Sequence, residues 1–110
     1  MFDPFEGTES VVRNLFDSLL TKTKSLGPFR TETKKTSIHL VRRAAFLGVH
    51  PKKSYLEINV VSSNPLDESR GYKVEQVSRN RFHNRMRIEQ MADLNSQLMR
   101  DIANAYKLMQ

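Results

Sequence analysis

The segment Ala45-Phe46-Leu47-Gly48-Val49-His50-Pro51-Lys52-Lys53-Ser54-Tyr55-Leu56-Glu57-Ile58-Asn59-Val60-Val61 holds two alternating runs joined by a polar, proline-containing link. In the first, Ala45, Leu47 and Val49 alternate with Phe46, Gly48 and His50. In the second, Leu56, Ile58 and Val60 face one way, and Tyr55, Glu57, Asn59 and Val61 the other. A period of two belongs to strands. The segment therefore predicts a hairpin with one dry and one wet face, as in an antiparallel sheet covered on a single side.

Reading outward, Ile38 and Leu40 alternate with Ser37 and His39 and add a strand upstream. Downstream, two more are expected over 72–77 and about 81–88, with a polar turn at 78–80. In the last of these Phe82, Met86 and Ile88 lie on one face, and Arg81, His83, Arg85 and Arg87 share the other. The intervening Ser62-Ser63-Asn64-Pro65-Leu66-Asp67-Glu68-Ser69-Arg70-Gly71 is dense in turn residues and reads as the longest, most mobile loop.

Both ends of the chain change period. Val11, Val12, Leu15, Phe16, Leu19 and Leu20 form a helical stripe, predicted over about 9–25 with Thr8 as N-cap and Gly27-Pro28 as stop. Leu94, Leu98, Ile102, Ala105, Tyr106 and Met109 form a second stripe, with Asp93 as its N-cap. Two apolar helix stripes and one apolar sheet face can satisfy each other. The expectation is a single α+β domain over residues 1–110: an antiparallel sheet of about five strands with N- and C-terminal helices packed on one face, and a flexible start at about 1–7.

Composition narrows the function. The chain has 110 residues, 38% hydrophobic and 27% charged, enough for one core. Its longest apolar run, Ala44 to Val49, has six residues, far below the roughly 18 of a membrane helix. Acids in Met1-Phe2-Asp3-Pro4-Phe5-Glu6 do not suit a signal peptide, so a cytoplasmic protein is expected. There is no Cys, hence no disulfide framework, thiol nucleophile or thiolate metal site. The net charge of +6 is concentrated. Lys34, Lys35, Arg42, Arg43, Lys52 and Lys53 lie in one window without an acid, and Arg79, Arg81, Arg85 and Arg87 in another. A localised basic surface suits a polyanion such as nucleic acid; the competing reading pairs these charges with Glu32, Glu57, Glu75 and Glu89.

The segments Lys35-Thr36-Ser37-Ile38-His39-Leu40, Ala45 to Lys53, Lys73-Val74-Glu75-Gln76-Val77-Ser78, Arg81-Phe82-His83 and Ala105-Tyr106 resemble, in that order, a family of small bacterial domains of unknown function. Its members occur alone or at the C-terminus of longer proteins, some labelled predicted transport proteins. The triplet's aromatic residue is commonly Trp in that family, and Phe82 keeps the packing without the indole donor. The resemblance implies no activity, and a transporter would need the membrane segment that is missing here.

Catalytic motifs do not emerge along the chain. His39, His50 and His83 form no short ligand pair and have Lys and Arg neighbours, so no metal is expected. Glu32-Thr33-Lys34 has the acid-x-Lys spacing of metal-dependent nucleases, but the nearest upstream acid, Asp17, belongs to the helix, and the motif reads as a charged pair on a loop. Gly7, Gly27, Gly48 and Gly71 are isolated, so no phosphate-cradling loop and no nucleotide cofactor is expected. No Gly-x-Ser-x-Gly elbow is present.

What remains is the row Arg81, His83, Arg85 and Arg87, whose same-face neighbours on a strand stand about 6.6 Å apart. Arginine forks suit phosphates, and Tyr55 or Tyr72 offers an aromatic neighbour for base stacking. The expectation is a non-catalytic module without cofactor that binds nucleic acid or an acidic protein through Arg81, His83, Arg85 and Arg87, supported by Lys52, Lys53, Arg42 and Arg43. The alternative is a protein-interaction or accessory domain, forming a homo-oligomer or docking to a larger partner, with the charges serving solubility.

Overall fold

The computed structural model describes residues 3–110. The first stripe becomes α1, Ser10–Lys24, which buries Val12, Leu15, Phe16 and Leu19. Its N-cap is Glu9, which makes no side-chain cap. Thr8, expected there, instead donates its hydroxyl to the Phe5 carbonyl at 2.7 Å. The Glu9 amide donates to the Lys53 carbonyl at 2.8 Å, tying the helix start to the turn of the central hairpin. At the other end Gly27 has φ +137°, and a Cβ there would stand 2.4 Å from the Tyr106 hydroxyl. Only glycine admits both the backbone and that close approach. The hydroxyl donates to the Pro28 carbonyl at 2.9 Å.

Six strands follow, one more than expected: β1 Arg30–Thr33, β2 Ile38–Val41, β3 Ala45–Pro51, β4 Leu56–Ser62, β5 Lys73–Ser78 and β6 Arg81–Ile88. They form one antiparallel sheet in the order β1-β2-β3-β4-β6-β5. The additional strand is β1, so Glu32-Thr33 lies on an edge strand and not on a loop. An edge strand without an apolar residue leaves no periodic signal.

Two residues depart from simple alternation. Pairing passes from Leu40↔Leu47 to Val41↔Ala45, so Phe46 is the extra residue of a bulge. It turns into the core, edge-on to Tyr106 with ring centroids 5.3 Å apart. Val61, expected on the wet face, is buried within the same core. The bulge also keeps β3 in phase, because Leu40 would otherwise oppose Phe46 and every later residue would change faces.

Because β6 lies between β4 and β5, the loop after β4 must cross to the sheet's far edge. It is held at several points. The Leu66 amide donates to Asn84 Oδ1 at 3.1 Å, and Asp67 caps the short 3-10 turn Glu68–Arg70 through the Ser69 amide at 2.9 Å. Arg70 and the Tyr72 hydroxyl both donate to Asp101, the latter at 2.7 Å. The expected mobile loop is thus a tethered crossover. Burial, reinforced by the Asp101 hydrogen bond, raises the Tyr72 pKa above its ordinary value of 10. A raised folded-state pKa contributes stability that is complete below the unfolded value and lost above it. Stability should therefore fall from about pH 10 upward; in Tyr72→Phe, alkaline denaturation midpoints should flatten over that range.

The second stripe becomes α2, Ser96–Leu108. Its N-cap is Asn95, which accepts from the Leu98 amide at 2.9 Å. Asp93, expected in that role, closes the preceding 3-10 turn by accepting from the Glu89 and Gln90 amides at 2.9 and 3.1 Å. The two helices cover one face of the sheet, where Leu19, Leu56, Ile58 and Ile102 are all fully buried in one cluster. Of the expected flexible start, residues 1 and 2 lie outside the described residues, while Phe5 stacks on Phe16 with centroids 5.2 Å apart. Among the described residues no helix is long and apolar enough to cross a membrane.

Candidate binding face

Among the described residues no helix covers the other face of the sheet. The strand register sets its side chains in rows. One row runs Glu32, His39, Gly48, Asn59, Arg85 and Lys73 across all six strands. The next holds His50, Glu57 and Arg87, and another pairs His83 with Glu75.

The eight basic-face candidates separate into two ends. Arg85 and Arg87 are exposed on β6, near the end where Lys52 and Lys53 sit in the β3–β4 turn. Arg87 lies over the Tyr55 ring at 4.5 Å. Arg42, Arg43 and Arg81 gather at the opposite end, around the last turn of α2. There Arg42 covers the Tyr106 ring at 3.9 Å and donates to the Tyr106 carbonyl at 3.0 Å. The Arg43 amide donates to the Met109 carbonyl at 3.1 Å, and Arg81 reaches Met109 Sδ at 3.6 Å. Cations there complement the negative end of a helix, so Arg42 and Arg81 are engaged with the protein itself. His83 is half-buried between Val61 and Glu75. The structure therefore does not bring the eight together.

Lys73, directly opposite Arg85, joins the first group and was missed because its neighbour is fixed only by strand pairing. Tyr72 is buried against Asp101 and cannot stack on a base, whereas Tyr55 is half-buried beneath Arg87. Of the acids expected to neutralise the basic face, Glu32 pairs with Arg30, and among the described residues Glu57, Glu75 and Glu89 form no ion pair. Among the described residues the ion pairs are Arg13–Asp17, Arg30–Glu32 and Arg70–Asp101, so Arg85 and Arg87 have no carboxylate within 4.0 Å, although Glu57 opposes Arg87 in the register.

Beside these arginines β5 begins opposite Arg85, leaving Met86 to Ile88 unpaired on that edge. A cleft of about 540 Å³ opens there, lined by the cations Arg70, Lys73, Arg85 and Arg87 and by the carboxylates Glu57, Glu89 and Asp93 among others.

At the middle of the face Gly48 lies between His39 on β2 and Asn59 on β4. It is buried between its neighbours: a Cβ built on it would be in ordinary contact with Asn59 Cβ at 3.6 Å and His39 Cδ2 at 3.7 Å. The His39 and His50 rings stand 6.4 Å apart. Burial holds the His50 pKa below its ordinary value; Glu57 opposes that shift, while Lys52, His39 and Arg85 reinforce it. Asn59 Oδ1 is buried without a hydrogen-bond partner among the described residues.

Among the described residues no group of three His, Cys, Asp or Glu side chains could hold a metal ion. Chelator treatment should accordingly leave the thermal midpoint unchanged; a fall on chelation that zinc restores would show a metal-dependent fold. The model of one protein family, described as a domain of unknown function (DUF5655), matches residues 2–109. No curated protein and no solved structure matches the chain significantly.

Proposed function

Because the chain belongs to DUF5655, a family of domains of unknown function, we propose its role from geometry: the open sheet face binds single-stranded nucleic acid in the cytoplasm. Arg85, Arg87 and Lys73 engage phosphates, Lys52 and Lys53 extend the basic surface, and Tyr55 supplies an aromatic contact. The observation that carries this reading is that two exposed arginines beside an uncovered face have no carboxylate partner among the described residues. An arginine row kept only for solubility would gain from pairing with the Glu57 beside it. A free guanidinium is available for a bidentate phosphate contact.

The interaction-domain alternative has the free edge of β5 in its favour, where Val77 is 45% exposed. That edge also carries Lys73 and Glu75, and charges of this kind discourage edge-to-edge pairing. The discriminating measurement is oligonucleotide binding against salt. Phosphate contacts release counterions, so affinity must fall steeply between about 50 and 200 mM salt. Saturation by an acidic protein at fixed stoichiometry, with no oligonucleotide binding at low salt, would favour the alternative.

A further inference from the structure

The middle of the uncovered face is chemically distinct from the basic end and brings together groups far apart in the chain. His39 on β2 faces Gly48 on β3, and His50 is the next same-face residue along β3. Asn59 flanks the same glycine from β4, and Arg85 follows in the row on β6. Both imidazoles are partly exposed, and among the described residues burial and neighbouring charges, with no hydrogen bond, act on His50. A separation of 6.4 Å between ring centroids fits one phosphodiester group when each ring reaches one of its flanking oxygens at about 2.6–3.2 Å.

Resting on the nucleic-acid reading of this face, we propose that His39 and His50 form a general acid–base pair that cleaves single-stranded RNA laid across the sheet surface between them. His50 takes the proton of a ribose 2′-hydroxyl as the 2′-oxygen forms a bond to the adjacent phosphorus. The bond from phosphorus to the 5′-oxygen breaks, and His39 gives its proton to that oxygen. The products are a 2′,3′-cyclic phosphate and a 5′-hydroxyl end. No water, metal or redox partner is consumed, because the nucleophile belongs to the substrate, and proton exchange with solvent resets the two rings.

The surroundings suit these roles. The lowered His50 pKa keeps that ring neutral at neutral pH, as a base must be. Glu57, opposite His50, acts on that ring more strongly than Arg85 does, and Arg85, next in the row after Asn59, supplies a cation on the same face for the charge that develops on phosphorus. Asn59 Oδ1, buried and lacking a partner among the described residues, is an unsatisfied acceptor beside Gly48. DNA lacks the 2′-hydroxyl and should be bound and left intact.

The test incubates the full chain with a labelled single-stranded RNA in the presence of EDTA, beside 2′-O-methyl RNA of the same sequence as an uncleavable binding probe. Cleavage is expected to yield cyclic-phosphate and 5′-hydroxyl ends, and to fall about 10²–10⁴-fold in His39→Gln and in His50→Gln. Both variants should still bind the 2′-O-methyl strand, which also reports that they fold. Wild-type protein that binds the probe but leaves RNA intact overturns the cleavage proposal and spares the binding reading. Products with 5′-phosphate ends, or variants that cut as fast as wild type, overturn it equally. Failure to bind the probe at low salt removes the binding reading and this proposal together.

Discussion

The double variant Arg85→Glu/Arg87→Glu is expected to lose roughly 100-fold or more in affinity for a single-stranded oligonucleotide at low salt, and the slope of log affinity against log salt should shrink by about two. Both side chains are exposed and free of carboxylates among the described residues, so reversal removes two attractive contacts and adds two repulsive ones. Ile88 and Met86 occupy the opposite face of the same strand and are untouched. The lost stacking of Arg87 on Tyr55 costs about 0.5–1 kcal/mol, which a folded domain tolerates. Arg79→Glu supplies the control, because it reverses an exposed charge at the other end of the sheet and should change binding far less. Filter binding or fluorescence anisotropy from about 50 mM salt upward measures all three. A double variant that binds as wild type does would refute the basic-end assignment.

Ile102→Ala and Leu19→Ala are each expected to destabilise the fold by about 2–5 kcal/mol. Both side chains are fully buried, one from each helix, against a sheet face that presents Leu56 and Ile58. Truncation removes the transfer free energy of the lost methyl groups and leaves a cavity that surrounding helices only partly close. Since a domain of this size holds only about 5–15 kcal/mol in total, either change should move the urea midpoint strongly with little change in m. A shift worth less than about 1 kcal/mol at both positions would mean that the helices are peripheral to the core.

Elements with a strong local period were legible in the sequence. The stripes of α1 and α2 and the alternation of Leu56, Ile58 and Val60 each sit within one element, and each followed from side-chain spacing alone. Helix ends were less so, since Asp93 and Asn95 are both competent caps and only the backbone path after β6 assigns each its turn. Strand β1, Arg-Thr-Glu-Thr, escaped because an exposed edge selects no alternating apolar residues. The face of Phe46 escaped because a bulge inverts the parity on which face assignment depends.

The candidate site divides along the same line. The sequence by itself determined that charge is concentrated, that Arg81, His83, Arg85 and Arg87 leave the core face of one strand, and that the fold is α+β with terminal helices on one side. Such properties depend on residue type and on spacing within an element. Only the tertiary structure decided that Arg42 and Arg81 serve the end of α2 while Arg85 and Arg87 stay free among the described residues, that Lys73 faces Arg85, and that the His39 and His50 rings come to 6.4 Å of each other. These depend on which strands are neighbours and in which register. That choice rests on burying both helix stripes at once, on the Phe46 bulge that phases β3, and on the tethered crossover that sends β5 beyond β6, none of which a local pattern of residues encodes.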